Sequence, residues 1–136
     1  MRLFLWLIVF VIAGCNNGKE EKATVKDNRL FLRTDSINVV KLSDTMLIYE
    51  SICRGCKYEG SVSFAISDSL ELVKLQDVIT NDNNPDGMSG GNVGKELVLV
   101  PVKAGTTTIK LYKFLSPETK KEDSARFQTY RIEIKN

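Results

Sequence analysis

The chain of 136 residues contains no histidine, and this absence excludes more chemistry than any of its motifs supports. Hydrolases of the Ser–His–Asp or Cys–His type need an imidazole base, and most catalytic zinc and non-haem iron sites need imidazole ligands. The three cysteines are too few for a four-cysteine zinc site. Carboxylate pairs are compatible with the composition, but no pattern locates one. We therefore expect a protein that is not an enzyme.

The chain also lacks an excess of charge of either sign. It has 19 basic and 17 acidic residues, a net charge of +2. Such a balance gives no electrostatic attraction to nucleic acid or to an anionic lipid surface. We expect no nucleic-acid partner, and a partner that is recognised by shape.

A hydrophobic run opens the chain, follows the single basic residue Arg2 and ends in Ile12-Ala13-Gly14-Cys15. A transmembrane helix needs about 20 apolar residues, so this run is too short to span a bilayer. The order of basic, apolar and small residues is typical of an export signal. The end of the run resembles the lipobox of bacterial lipoproteins, in which the cysteine is acylated and the preceding peptide is removed. Cys15 would then hold the protein on a membrane through its acyl chains.

Cleavage before Cys15 predicts three parts: a signal peptide at 1–14, a lipidated flexible tether at 15–28 and a folded domain at 29–136. The 136 residues less the first 14 leave 122, which is the size of one domain with one core. The tether is polar and lacks an apolar period. We expect a monomer in the cell envelope, as an outer-membrane lipoprotein. Lys19-Glu20-Glu21 fits a solvated linker or a surface-export signal, so either a periplasmic or a surface-exposed domain is compatible with the sequence.

Beyond the tether, β-branched and aromatic residues recur at short spacing between turn signals, which indicates strands. No segment has the period of a long amphipathic helix. Leu97 and Leu99 share one predicted face, as do Ile109 and Leu111. We predict an all-β fold, an immunoglobulin-like antiparallel β-sandwich. Its predicted strands are Leu30–Arg33, Ile37–Lys41, Thr45–Ser51, Ser61–Ile66, Leu70–Ile79, Glu96–Lys103, Thr106–Phe114 and Arg126–Lys135.

Cys53 and Cys56 form a Cys-x-x-Cys element. A redox motif of this kind needs a thioredoxin-like strand and helix around it, which the flanking pattern lacks. Export places the domain in an oxidising compartment, and lipidation of Cys15 leaves these two cysteines as a pair. A structural disulfide is therefore favoured over a catalytic dithiol.

The segment 81–87 is rich in turn residues and has the Asp-x-Asn-x-Asp-Gly spacing of calcium loops at Asp82, Asn84 and Asp86. The position at which an EF-hand supplies its bidentate glutamate is Val93. Asn, Asp, Pro and Gly also form ordinary turns without a metal. We favour turn chemistry, with no metal and no cofactor, and keep weak calcium binding as the alternative.

Two segments of the C-terminal half resemble a known family. Residues 96–114, ELVLVPVKAGTTTIKLYKF, and the later segment 124–130 are similar to the end of the chagasin-type inhibitors of papain-like cysteine proteases. The glycine-rich stretch 87–94 resembles the inhibitory loop of that family. Where the family has Asn-Pro-Thr-Thr-Gly and an aromatic, this chain has residues 51–55 and Tyr58. Where the family has Arg-Pro-Trp, it has Lys113-Phe114-Leu115.

This resemblance implies an inhibitor whose partner is a papain-like cysteine protease, and the lipobox at Cys15 adds a lipid anchor to it. Three loops at one end of the sandwich, Ser51–Tyr58, Asn81–Gly94 and Lys113–Asp123, would block the protease cleft. The implied inhibitory residues are Arg54, Gly55, Tyr58, Met88, Gly90, Gly91, Lys113 and Phe114. The alternative is an immunoglobulin-like interaction or adhesion module at the envelope without inhibitory activity. A third hypothesis is a calcium-stabilised binding domain centred on Asp82, Asn84 and Asp86.

Overall fold

Eight strands and one short helix make up the described part of a computed structural model of the chain, which covers residues 29–82, 87 and 90–136. The predicted signal peptide, Cys15 and the tether lie outside the described residues. The elements are β1 (Arg29–Phe31), β2 (Ile37–Lys41), β3 (Thr45–Cys53), β4 (Ser63–Ser67), β5 (Val73–Asn81), β6 (Asn92–Pro101), β7 (Gly105–Phe114), α1 (Lys120–Asp123) and β8 (Phe127–Lys135).

The strands form two four-stranded sheets, with the orders β1-β3-β6-β5 and β2-β8-β7-β4. The predicted all-β sandwich is confirmed, and each predicted strand overlaps an observed one. The sequence misplaced several strand ends. β3 continues through Ile52 to Cys53, and β6 begins four residues before Glu96, at Asn92.

The pairing at one edge of each sheet is parallel, where a wholly antiparallel sandwich was predicted. β1 runs parallel to β3, and β2 runs parallel to β8. The chain reverses direction between β1 and β2 and again between β2 and β3, but β2 joins the opposite sheet. β1 and β3 therefore run the same way and lie side by side.

The core fills the space between the sheets and includes two predicted faces, that of Leu97 and Leu99 and that of Ile109 and Leu111. Leu97, Leu99, Ile109 and Ile132 have no exposed side-chain surface. Burial of an aliphatic side chain of this size contributes about 1.5–3 kcal/mol, so these strands supply the main cohesion of the fold. The other members of the buried cluster are Val40, Met46, Ile48, Leu72, Val73, Leu111, Tyr130 and Ile134.

Helix is almost absent from the described part of the chain, as the sequence predicted. α1 has four residues and lies in the connection between β7 and β8. Over residues 29–82, 87 and 90–136, no helix is long and apolar enough to cross a membrane.

Candidate functional site

The described parts of three connections lie together at one end of the sandwich, which we call the loop end: residues 54–62, residues 82, 87 and 90–91, and residues 115–126. The strand register places them there. Cys53 at the end of β3 pairs with Asn92 at the start of β6, and Asn81 at the end of β5 pairs with Gly94. In the other sheet, the end of β7 pairs with the start of β4. The structure thus places the described parts of the three predicted loop segments at the same end of the sandwich.

The first loop begins with a closed ring of four residues, since Cys53 and Cys56 are joined by a disulfide. The structural disulfide predicted from the sequence is present. Gly55 within the ring has a φ of 74°, a conformation that glycine adopts without steric cost. Its amide donates to a carboxylate oxygen of Glu59 at 2.5 Å, and the amide of Glu59 donates to the Cys56 carbonyl at 3.0 Å. The turn is therefore fixed by one covalent bond and two hydrogen bonds.

Arg54 joins the first loop to the second. Its guanidinium forms a two-point ion pair with the carboxylate of Asp82, and one of the two hydrogen bonds measures 3.1 Å. Its backbone amide donates to the carbonyl of Gly91 at 2.9 Å. The hydrogen bond to Asp82 raises the pKa of Arg54, so the guanidinium stays charged. A paired guanidinium and carboxylate of this kind orders both loops because its geometry is planar and bidentate.

The Arg54 ion pair also bears on the calcium prediction. The carboxylate of Asp82 already binds a cationic side chain, and Asn84 and Asp86 lie outside the described residues. Within residues 29–82, 87 and 90–136, no group of three or more acidic or cysteine side chains could hold a metal ion.

The second loop contains glycines with positive φ. The values are 63° at Gly87, 91° at Gly90 and 81° at Gly91. A Cβ atom at any of these positions would have no atom within 4 Å, so packing does not require glycine there. The backbone conformation does, because most side chains are strained in the left-handed region. The exposed backbone of Gly90 and Gly91 is thus open to close approach by a partner. Met88 lies outside the described residues.

A polar layer lies between the sheets directly beneath the loops, and we define it as Glu50, Lys113, Gln128 and Tyr130. The Lys113 ammonium bonds the Glu50 carboxylate at 3.2 Å and donates to the Ser51 carbonyl at 2.6 Å. The Gln128 amide donates to Glu50 at 3.3 Å and accepts from the Tyr130 hydroxyl at 2.7 Å. Burial, together with the charge of Glu50, raises the pKa of Tyr130 to about 12. The layer links β3 of one sheet to β7 and β8 of the other.

The third loop is organised by a buried aspartate. Asp123 accepts hydrogen bonds from the Leu115 amide and the Thr119 hydroxyl, both at 2.8 Å. The hydrogen bond from Leu115 and that from Thr119 hold the pKa of Asp123 below its ordinary value. The Ser61 hydroxyl donates to the Leu115 carbonyl at 2.7 Å, which attaches this loop to the first.

The predicted aromatic anchors occupy different places. Tyr58 is half-buried and, with Cys53, Cys56, Lys113 and Leu115, lines a recess of about 180 Å³. Phe114 instead stacks on Tyr112 at 6.0 Å, and the Lys120 ammonium lies 5.4 Å from its ring.

The placements of two other predicted residues also differ. Lys113 points inward to the polar layer, whereas Gly55 is exposed. Protease contact by any of the predicted inhibitory residues stays a prediction.

From the sequence, Arg54, Lys113 and Asp82 were predicted as site residues without their pairings, and Glu50 was not predicted at all. Glu50 and Lys113 continue the inward-facing alternation of Met46-Ile48 and Ile109-Leu111. Two opposite charges at inward positions are a signal that could have predicted their pairing. No comparable signal exists for Asp82 and Arg54, which lie 28 residues apart in separate loops.

No protein-family model matches the chain, and no curated protein matches it significantly by sequence. Solved structures do match. The crystal structure of the cysteine protease inhibitor EhICP2 from Entamoeba histolytica is similar with a TM-score of 0.55 and 23% identity, covering 79% of this chain and 96% of the inhibitor. The solution structure of amebosin is similar with a TM-score of 0.53 and 17% identity, again over 79% of this chain and 96% of the other. The likeness shows a shared fold.

Proposed function

We propose that this protein is a lipid-anchored inhibitor of papain-like cysteine proteases. The observation that carries the proposal is the joining of three loops at one end of a sandwich that has the fold of a cysteine protease inhibitor. The proposal requires no catalytic residue and no cofactor. It agrees with the absence of histidine from the sequence.

Inhibition would be steric. The loops are connected to one another by the Arg54–Asp82 ion pair and the Ser61–Leu115 hydrogen bond. Loops that already hold their bound shape lose little conformational entropy on docking, so more of the contact energy appears as affinity. The three loops together would fill the protease cleft without presenting a cleavable bond.

The loop residues would have separate roles. Gly90 and Gly91 would allow close approach of their backbone to the protease, since they have no side chain in the way. Tyr58 and the neighbouring Gly55 would contact the cleft from the first loop, with Met88 as a further apolar contact and Phe114 at the flank. Lys113 would act mainly through the polar layer, by fixing the first loop through the Ser51 carbonyl.

A lipid anchor at Cys15 is compatible with loops that point away from the membrane. Arg29, the first described residue, pairs with Thr45 at the start of β3, and β3 runs from there toward the loop end. The tether would thus leave the sandwich at the end opposite the loops. Its 14 residues from Cys15 would span about 20 Å on average as a flexible chain. The loops would face away from the membrane, whether the domain lies in the periplasm or on the cell surface.

The test is a titration against papain. The full chain carrying Cys15→Ser is purified in mild detergent and mixed with papain that has been activated and freed of reductant, and residual activity is followed with a fluorogenic substrate. We expect stoichiometric inhibition of papain and none of trypsin, which has a serine nucleophile. A failure to inhibit papain and a panel of secreted cysteine proteases would overturn the proposal and favour the immunoglobulin-like interaction module.

A further inference from the structure

The Cys53–Cys56 disulfide lies on the surface of the loop end, and this position suggests chemistry beyond stiffening of the turn. Both cysteines are exposed. Cys53 is the last residue of β3, and Cys56 lies in the turn outside the sheet. The recess shared with Tyr58, Lys113 and Leu115 adjoins the bond. A partner that docks on the loop end would therefore bring its own side chains close to a disulfide.

We propose that the catalytic thiolate of a target cysteine protease attacks this disulfide and becomes trapped as a mixed disulfide with the inhibitor. The inference rests on the proposed function, because it needs a protease docked on the loops. The cysteine of papain-like enzymes is paired with a histidine and is a thiolate at neutral pH. The thiolate is the species that attacks disulfides.

The exchange balances without an added oxidant. The protease thiolate attacks Sγ of Cys56 and forms a new S–S bond to it. The Cys53–Cys56 bond breaks, and its electron pair leaves on Sγ of Cys53, which takes a proton from water. The protease loses its nucleophile, and the inhibitor retains one free thiol at Cys53.

The geometry favours Cys56 as the attacked sulfur. Cys53 belongs to the β3–β6 ladder opposite Asn92, so it is fixed on the strand. Cys56 precedes Lys57, whose ammonium lies 5.1 Å from the centre of the Tyr58 ring. Lys57 therefore adds a positive charge to the turn that holds Cys56, and a positive charge attracts an incoming thiolate.

The loop retains other attachments after the bond opens. The Arg54–Asp82 ion pair, the hydrogen bond from the Arg54 amide to Gly91 and that from the Gly55 amide to Glu59 do not involve sulfur. The docked surface therefore survives the exchange, and the complex keeps its non-covalent contacts. Cys53 remains close enough to reverse the reaction, which makes the trapping reversible.

The test measures the mass of a trapped adduct. The full chain with Cys15→Ser is mixed with reductant-free active papain, and N-ethylmaleimide is added at once to block the released thiol. We expect a species with the mass of papain, one inhibitor and one maleimide, which a reductant separates. Peptide mapping should join the papain active-site cysteine to Cys56 and place the maleimide on Cys53. We expect the bond to open at least about tenfold faster than with glutathione at the same concentration, because docking raises the effective concentration of the thiolate.

Two controls separate this inference from the proposed function. Papain alkylated beforehand at its active-site cysteine should give no adduct. The variant C53S/C56S should give no adduct with untreated papain. If the inhibitor with both cysteines inhibits untreated papain and no adduct forms, the mixed disulfide is overturned and the proposal of steric inhibition is unaffected. An adduct through Cys53 would overturn the assignment of the attacked sulfur. If papain is not inhibited and no adduct forms, both proposals are overturned.

Discussion

The two ends of the sandwich are held together by different means. The end opposite the loops, which we call the Asp68 end, consists of short turns closed by internal hydrogen bonds. Asp68 accepts from the Thr107 hydroxyl at 2.6 Å and from the amides of Leu70, Leu72 and Val73 at 2.8–3.0 Å. At the loop end, an ion pair joins two loops, a disulfide closes one turn and a polar layer joins the sheets, and the longer segments leave exposed backbone.

This difference separates scaffold from surface. At the Asp68 end the Asp68 carboxylate accepts four hydrogen bonds from within the fold. A Cβ atom at Gly105 would lie 2.9 Å from the side chain of Leu72. At the loop end the glycines have open space around them. Changes at the Asp68 end should therefore lower stability and leave protease binding intact. Changes at the loop surface should weaken protease binding and leave most of the stability intact.

The largest expected effect comes from replacing Asp68 with alanine. Four donors lose their acceptor, and we expect the free energy of unfolding to fall by about 2–4 kcal/mol. Urea unfolding measures this change. Papain inhibition by the folded protein should be unaltered, and a parallel loss of inhibition would break the separation between the two ends.

Acid should affect Asp68 in a defined direction. Burial raises the pKa of Asp68, but the hydrogen bonds from Thr107 and the three amides outweigh burial, so the pKa lies below its ordinary value. The stabilisation is thus complete above the unfolded pKa of about 4 and is lost as the pH falls through the folded pKa. Asp68→Asn cannot ionise, so its stability should depend less on pH below about 4 than that of the wild type.

Alkali tests the polar layer beneath the loops. The pKa of Tyr130 is about 12 in the folded state and about 10 when unfolded. Between these values the unfolded chain loses a proton that the folded chain keeps, so stability falls as the pH rises from 10 to 12, by about 2–3 kcal/mol. Denaturant unfolding of the wild type and Tyr130→Phe should show a smaller loss in the variant.

The exposed Tyr49 provides the control for this measurement. Tyr49→Phe removes a hydroxyl from an exposed side chain, so it controls for the loss of a tyrosine hydroxyl as such. Equal pH dependence of wild type and Tyr130→Phe would contradict a role for the polar layer in alkaline unfolding.

Lys113 lies at the loop end, but its contacts with Glu50 and Ser51 hold the two sheets together. Lys113→Met leaves the Glu50 carboxylate and the Ser51 carbonyl without their cation, and we expect a loss of about 2 kcal/mol in unfolding free energy. Glu50→Gln combined with Lys113→Met removes both charges and should recover part of that loss. A double-mutant cycle measures the coupling, and strict additivity would argue against the pair.

The sequence predicted the strands better than their assembly. β-branched and aromatic residues between turn signals located all eight strands, and alternation placed Leu97 with Leu99 and Ile109 with Leu111 on shared faces, since period 2 is a local property of a half-buried strand. The parallel edges depend on which sheet each short strand joins, and residues 29–41 contain no local signal for that choice. The four-residue helix α1 is too short to show a helical period.

The loop end was predictable in outline only. The glycine-rich segment and the cysteine pair were predictable because glycine marks positions with unusual backbone angles and closely spaced cysteines indicate a disulfide. The partners of these groups were not, because the Arg54–Asp82 and Ser61–Leu115 contacts join distant loops. The strand register decides which loops meet, and register follows from packing of the whole sandwich.

The glycines of the loop surface should tolerate a side chain in the free protein but not in the complex with a protease. Gly90→Asn and Gly91→Asn add a side chain where the backbone has space, and asparagine tolerates positive φ better than other residues with a side chain. We expect papain binding to weaken at least about tenfold, or about 1.4 kcal/mol, with a smaller loss of stability than Asp68→Ala. Gly87→Asn provides the matched control, because Gly87 has positive φ and open space in the same loop. If all three variants weaken binding equally, strain in the loop explains the effect. If only Gly90 and Gly91 do so, their backbone touches the protease, and the loop end is the surface that acts.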